Sequence, residues 1–116
     1  MHVNPGTRSR TVSPLLRPIL DETEAVLRTV FGERFRGLIL FGSHARGEAV
    51  AGSDIDLVLM LDASDGSRER RRYAEALADL SLRYDTVISV VPMGIEEYRS
   101  ARTPFLLNVR REGIPL

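Results

Sequence analysis

Three short apolar runs stand out along the chain: residues 37–41 (GLILF), 54–61 (DIDLVLML) and 85–91 (DTVISVV). Runs of this length, bounded by glycine or aspartate, read as strands buried on both faces, and the third is rich in β-branched residues. The apolar positions around them follow a different period. Ser13 and Pro14 predict an N-cap and first turn, after which Leu15, Leu16, Ile19, Leu20, Val26, Leu27 and Val30 recur at near-helical spacing up to Gly32. Pro18 stays close enough to that start to be tolerated. Residues 67–82 predict a helix with Tyr73, Ala76, Leu77 and Leu80 inward and its arginines outward. Residues 94–100 predict a short helix. Thr103 then caps and Pro104 opens another, running through Phe105, Leu106 and Val109 to a stop at Gly113.

The order helix, strand, strand, helix, strand, helix predicts an α/β (α+β) fold, a small mixed sheet of three or four strands with helices packed on it. Residues 1–12 (MHVNPGTRSRTV) are polar and lack an apolar period, so they are expected to form a flexible N-terminal arm. Residues 13–116 then make a single domain, since 116 residues support one modest core and not a second.

Composition narrows the function. With 43% hydrophobic and 28% charged residues, the chain reads as a soluble globular protein, and no apolar stretch approaches the roughly 20 residues of a membrane span. A formal charge of zero gives no general attraction to nucleic acid or to an anionic membrane. The absence of cysteine excludes disulfide staples and zinc-thiolate sites, and no signal-peptide pattern opens the chain, so a cytoplasmic location is expected. All 16 basic residues are arginine, which excludes a catalytic lysine or a P-loop lysine. The arginine cluster Arg68, Arg70, Arg71 and Arg72 is interleaved with Glu69, Glu75 and Asp79 and lacks aromatic partners. It reads as a solvated face rather than a nucleic-acid patch.

Chemistry concentrates in residues 40–62 (LFGSHARGEAVAGSDIDLVLMLD). Residues 43–48 carry a helical signal, so backbone N–H groups at Gly42 and Ser43 would face a ligand at the helix start, and a phosphate suits that place. Gly42 permits close approach, and the Ser43 hydroxyl either donates to a phosphate oxygen or caps the helix. On a strand, Asp54 and Asp56 point to one face. Neighbouring carboxylates repel unless a cation lies between them, and magnesium prefers carboxylate oxygens together with substrate phosphates.

Gly42, Ser43, ten intervening residues and Asp54-x-Asp56 resemble the signature of the DNA polymerase beta-like nucleotidyltransferase superfamily. The run GSHARGEAVAGSDIDLVL is similar to its minimal nucleotidyltransferase (MNT) branch. The resemblance covers about residues 13–93 in element order and is sharp over 39–61. It implies a nucleotidyltransferase-type fold and transfer of a nucleoside monophosphate, AMP from ATP or another triphosphate, to an acceptor hydroxyl with release of pyrophosphate. Gly42 and Ser43 would then hold the β and γ phosphates, and Asp54 and Asp56 would bind two Mg2+ ions. Arg46 would neutralise phosphate charge or stay on the surface, and Ser53 is counted with the nucleotide-binding residues. His44 reads as an exposed bystander.

A third carboxylate on the neighbouring strand completes the metal site in catalytic members and acts as base. Asp85, at the first position expected of the third strand, is the candidate for both roles here; alternation leaves Ser89 as the other residue for that place. The chain lacks room for a further substrate domain, so the acceptor is expected on another chain, and similarity to MNT antitoxins implies a HEPN-type toxin as partner. The alternative is a catalytically degenerate member that binds or scaffolds its partner by contact alone. A homo-oligomer is left open, and the last segment, TPFLLNVRREGIPL, resembles the tail of stand-alone members without adding a chemical group.

Overall fold

The computed structural model describes residues 12–64 and 67–116. Its elements are α1 (Arg17–Phe31), a single 3-10 turn (Gly32–Arg34), β1 (Phe35–Phe41), α2 (Ser43–Arg46), β2 (Ile55–Leu61), α3 (Ser67–Tyr84), β3 (Ile88–Gly94), α4 (Ile95–Ser100), α5 (Pro104–Glu112) and β4 (Ile114–Pro115). The sheet runs β3-β2-β1-β4, with β2 antiparallel to β1, parallel to β3, and β4 antiparallel to β1. This is the expected mixed sheet, with the fourth strand supplied by the residues just after α5.

Strand alternation sorts the apolar residues onto two faces. Leu38, Leu40, Ile55, Leu57, Leu59, Leu61 and Ile88 pack with Leu20, Leu27 and Phe31 of α1 and Tyr73, Leu77 and Leu80 of α3 in the larger core. Ile39, Val58 and Met93 point the other way and pack with Leu106 and Val109 of α5, joined by Phe41, Val91 and Tyr98 of α4. Val12, last residue of the expected arm, is buried in the larger core, while residues 1–11 lie outside the described residues.

β1 begins at Phe35 instead of Gly37 and α3 runs to Tyr84 instead of Leu82, and the start of α1 and both ends of β3 also differ from the sequence expectation. Ser13 does cap a turn, accepting from the Leu15 amide at 3.3 Å, but the first i→i−4 bond comes only at Leu20→Leu16. Pro18 has no N–H to donate to the Pro14 carbonyl, so the i→i−4 ladder starts beyond it; the helix begins at Arg17 with Pro18 in its first turn, and Leu15 is left 86% exposed. β3 begins at Ile88 rather than Asp85, because residues 85 and 86 close the end of α3. The Asp85 amide donates to Leu82 O and the Thr86 amide to Ser81 O, with Asp85 at φ 51°: a Schellman ending whose left-handed residue is an aspartate in place of the usual glycine. β3 also continues through Pro92, which an edge strand tolerates.

On α3 the arginines at 68, 70, 71 and 72 are exposed as expected, but Glu69 turns inward. It is 5% exposed and takes two hydrogen bonds from Arg34, at 3.1 and 3.3 Å. Among the described residues no helix is long and apolar enough to cross a membrane.

Candidate active site at the Gly42 turn and the Asp54–Asp56 pair

The end of β1 delivers Phe41 directly opposite Asp56 of β2, and Asp56 stands in register with Ser89 of β3. Phe41, Asp56 and Ser89 therefore form one row across the sheet. The alternation that puts Phe41 and Val58 toward α5 puts Asp56 on that same face. Asp54 lies one residue ahead of β2, exposed, on the side of Asp56 by the same alternation.

Asp56 is half-buried, and its carboxyl is held above the usual carboxylate range. Burial is the main cause; the neighbouring Asp54 charge adds to it, and His44 and Arg46 pull in the opposite direction. The two acids thus sense each other as like charges with partial desolvation, a pairing that costs stability unless a cation joins it.

Gly42 has φ 77° and ψ −157°, a conformation essentially confined to glycine. A Cβ there would collide with Asp56 Oδ2 and stand 3.3 Å from its Cγ. The glycine is thus required by the carboxylate itself, a nonlocal reason beyond the close approach of a ligand. The following helix is shorter than expected, one turn ending at Gly47 in the left-handed region. Its first donors, Ala45 and Arg46, both reach Gly42 O at 3.1 Å. The amides of Ser43 and His44 precede that hydrogen-bonded turn.

The remaining expected residues are placed as follows. Ser43 is half-buried at the first helical position, directly after the Gly42 N-cap. The Ser53 hydroxyl accepts from the Val50 amide at 2.9 Å and so shapes the loop before Asp54. Arg46 donates to Glu48 at 2.8 Å and to Glu112 of α5 at 3.5 Å, so its charge is shared between two carboxylates. His44 is half-buried rather than exposed, with Nε2 3.4 Å from Ser53 O.

Asp85 does not open the third strand. It sits in the α3 ending, three residues before β3, and Ser89 holds the register position beside Asp56. Among the described residues no three His, Cys, Asp or Glu side chains gather into a metal-binding group. The row itself presents one acid, Asp56, and Ser89, with Asp54 two residues ahead of Asp56 along the chain. Two carboxylates still fit Mg2+, which commonly takes one or two from the protein and its other ligands from phosphate and water.

Sequence reasoning missed the wall supplied by the C-terminal segment. Phe105, Asn108, Val109 and Glu112 of α5 line a cavity of about 210 Å³ with Phe41, Gly42 and Arg46. A faint signal existed in the i, i+3, i+4, i+7 spacing of those four positions from Pro104 onward.

Comparison with known proteins agrees with this architecture. The nucleotidyltransferase domain family matches residues 25–112. Two Methanocaldococcus jannaschii proteins named "putative protein adenylyltransferase" are similar. The first is 26% identical over 83% of this chain and 93% of its own length. The second is 36% identical over 71% of this chain, which spans 56% of that protein. Among solved structures, a chain of a toxin–antitoxin crystal structure with AMP-PNP superposes with a TM-score of 0.61 at 23% identity, covering 82% of this chain and 69% of that one. A chain from the complex of tri-AMPylated Shewanella oneidensis HEPN toxin with MNT antitoxin gives 0.55 at 21% identity, covering 85% and 69%.

Proposed function

The chain belongs to the nucleotidyltransferase domain family of enzymes, and from that premise we propose that it moves AMP from ATP, with Mg2+, to a hydroxyl of a HEPN-type partner protein. The observation that carries this reading is the Asp54–Asp56 pair set against the Gly42 turn.

In this reading Asp54 and Asp56 would hold Mg2+, which would supply charge neutralisation for the phosphates and a lowered pKa for an attacking hydroxyl. The amides of Ser43 and His44, with the Ser43 hydroxyl, receive phosphate oxygens beside the glycine cradle. Arg46, already near Asp56, adds positive charge once it leaves Glu48 or Glu112. The acceptor hydroxyl gives its proton to solvent water as its oxygen bonds to the α-phosphorus, the bridge to the β-phosphate breaks, and pyrophosphate leaves. The protein's part is mostly positioning and electrostatics. Support for a protein acceptor comes from the names of the relatives and from the toxin–antitoxin neighbours.

Ser89 beside Asp56 favours one second reading: a chain that grips its partner and transfers nothing. Labelled nucleotide separates the two. Incubated with Mg2+ and a HEPN-type protein, α-labelled ATP is expected to mark that protein covalently while γ-labelled ATP does not. A stable complex that takes up no label from the α position would overturn the transferase and leave the binder.

A further inference from the structure

The face that carries Asp56 has two flanks. Toward β3 lies Ser89; toward β1 lie Phe41 and the Gly42 turn, and beyond them the cavity walled by α5. Gly42 and Arg46 belong to both the cavity and the carboxylate site, so a nucleotide whose phosphates meet Gly42 has this cavity next to it. Its volume of about 210 Å³ is below the roughly 300–1,000 Å³ of pockets that enclose a whole drug-sized ligand, and suits a single ring system.

The lining suits a ring as well. Phe105 is 40% exposed although it is a large apolar side chain. Its ring is fixed edge-to-face on Phe41, centroids 5.3 Å apart at 87°, so it is held in position without being covered. One turn on, Asn108 Oδ1 accepts from Arg111 at 2.7 Å. Arginine only donates, so this bond sets the amide orientation and leaves the Asn108 NH2 group as the donor for ring nitrogens or carbonyls.

We propose that this cavity receives the nucleobase of the triphosphate, with Phe105 as its stacking platform and Asn108 as the polar group that meets the base edge. The proposal rests on the nucleotidyltransferase reading above and adds a place for the base. The acceptor is left the β3 flank, where the sheet row ends at Ser89.

Calorimetry with two ligands tests it: Mg-ATP, and Mg-tripolyphosphate, which has the phosphates without the base. Phe105→Ala is expected to weaken Mg-ATP by about tenfold, the scale of one base–aromatic stack, and Phe105→Tyr to restore it. Mg-tripolyphosphate affinity is expected to be the same in all three proteins. Unchanged Mg-ATP affinity in Phe105→Ala, with tripolyphosphate still bound, overturns the base pocket and leaves the phosphate site intact. A parallel loss of both ligands in Phe105→Ala makes Phe105 a structural residue and also overturns the proposal. Should neither ligand bind the wild type, the nucleotidyltransferase reading fails, and the base pocket with it. If Phe105→Ala alters only the response to the protein acceptor, the cavity belongs to that acceptor instead.

Discussion

Replacing Gly42 by alanine combines two separable penalties. The backbone at φ 77° and ψ −157° lies where non-glycine residues are held only under strain, at a cost of about 1–3 kcal/mol. The added Cβ also overlaps Asp56 Oδ2, so the carboxylate must rotate out of the Phe41–Asp56–Ser89 row. Gly47 is the natural control. Its φ of 74° is similar, but its ψ of 21° is the common left-handed conformation, and a Cβ there meets nothing within 4 Å. Alanine at 47 should cost about 1 kcal/mol of backbone strain and nothing else. At about 4 °C per kcal/mol for a domain of this size, both variants melt lower. Only Gly42→Ala should lose the Tm rise produced by Mg-ATP.

A double-mutant cycle isolates the collision. Asp56→Ala removes Oδ2 and Cγ and leaves a Cβ at an ordinary 3.4 Å from the new methyl group. In that background Gly42→Ala should cost about 1 kcal/mol less than in the wild type, measured by chemical denaturation without nucleotide. Equal costs in the two backgrounds would refute the placement of the Asp56 carboxylate against the turn.

Three further outcomes follow from the same geometry. Because the folded protein holds Asp56 above its ordinary pKa of 3.8, it binds that proton more tightly than the unfolded chain does, so this group's contribution to stability falls as pH rises from about 3.8 through the raised value; Asp56→Asn should flatten that fall and raise the stability of nucleotide-free protein at pH 7, and a variant less stable at neutral pH would contradict the like-charge argument. Asp85→Gly should stabilise the protein by about 0.5–1 kcal/mol, since glycine suits the left-handed position that ends α3, and should leave Mg-ATP affinity as it was; a loss of affinity would make Asp85 a metal ligand. Ser89→Asp adds a third carboxylate beside Asp56, so it should lower Tm without metal and enlarge the rise that Mg2+ produces, and an unchanged metal response would mean that Ser89 does not face the site.

Features set by neighbouring residues were legible from sequence. The strands emerged as continuous apolar runs, and the Thr103–Pro104 start of α5 was visible in two letters, with Thr103 Oγ1 accepting from the Leu106 amide at 3.2 Å. The Asp54–Asp56 pairing followed from alternation alone. Other features depended on distant parts of the chain. Asp85 read as a strand residue because its contribution to ending α3 depends on carbonyls three and four residues earlier and on a left-handed backbone, which an aspartate does not announce. The pairing of Ser89 with Asp56 is a register between strands separated by an 18-residue helix, and no local pattern specifies it. The covering of the Asp56 face by α5 depends on Leu106 and Val109 finding Ile39 and Val58, a contact between the last helix and the first two strands. His44 looked exposed from its polar neighbours, yet the loop that returns through Ser53 half-buries it.

The proposed activity depends on one site, built from the Gly42 turn, Asp54 and Asp56, and titration calorimetry of ATP into the protein tests that site most directly. With Mg2+ present, the wild type should bind one ATP per chain. Chelating the metal should abolish the heat, and Asp54→Asn combined with Asp56→Asn should do the same while the fold is retained. Equal ATP binding by the wild type and the double variant, or binding indifferent to Mg2+, would contradict it.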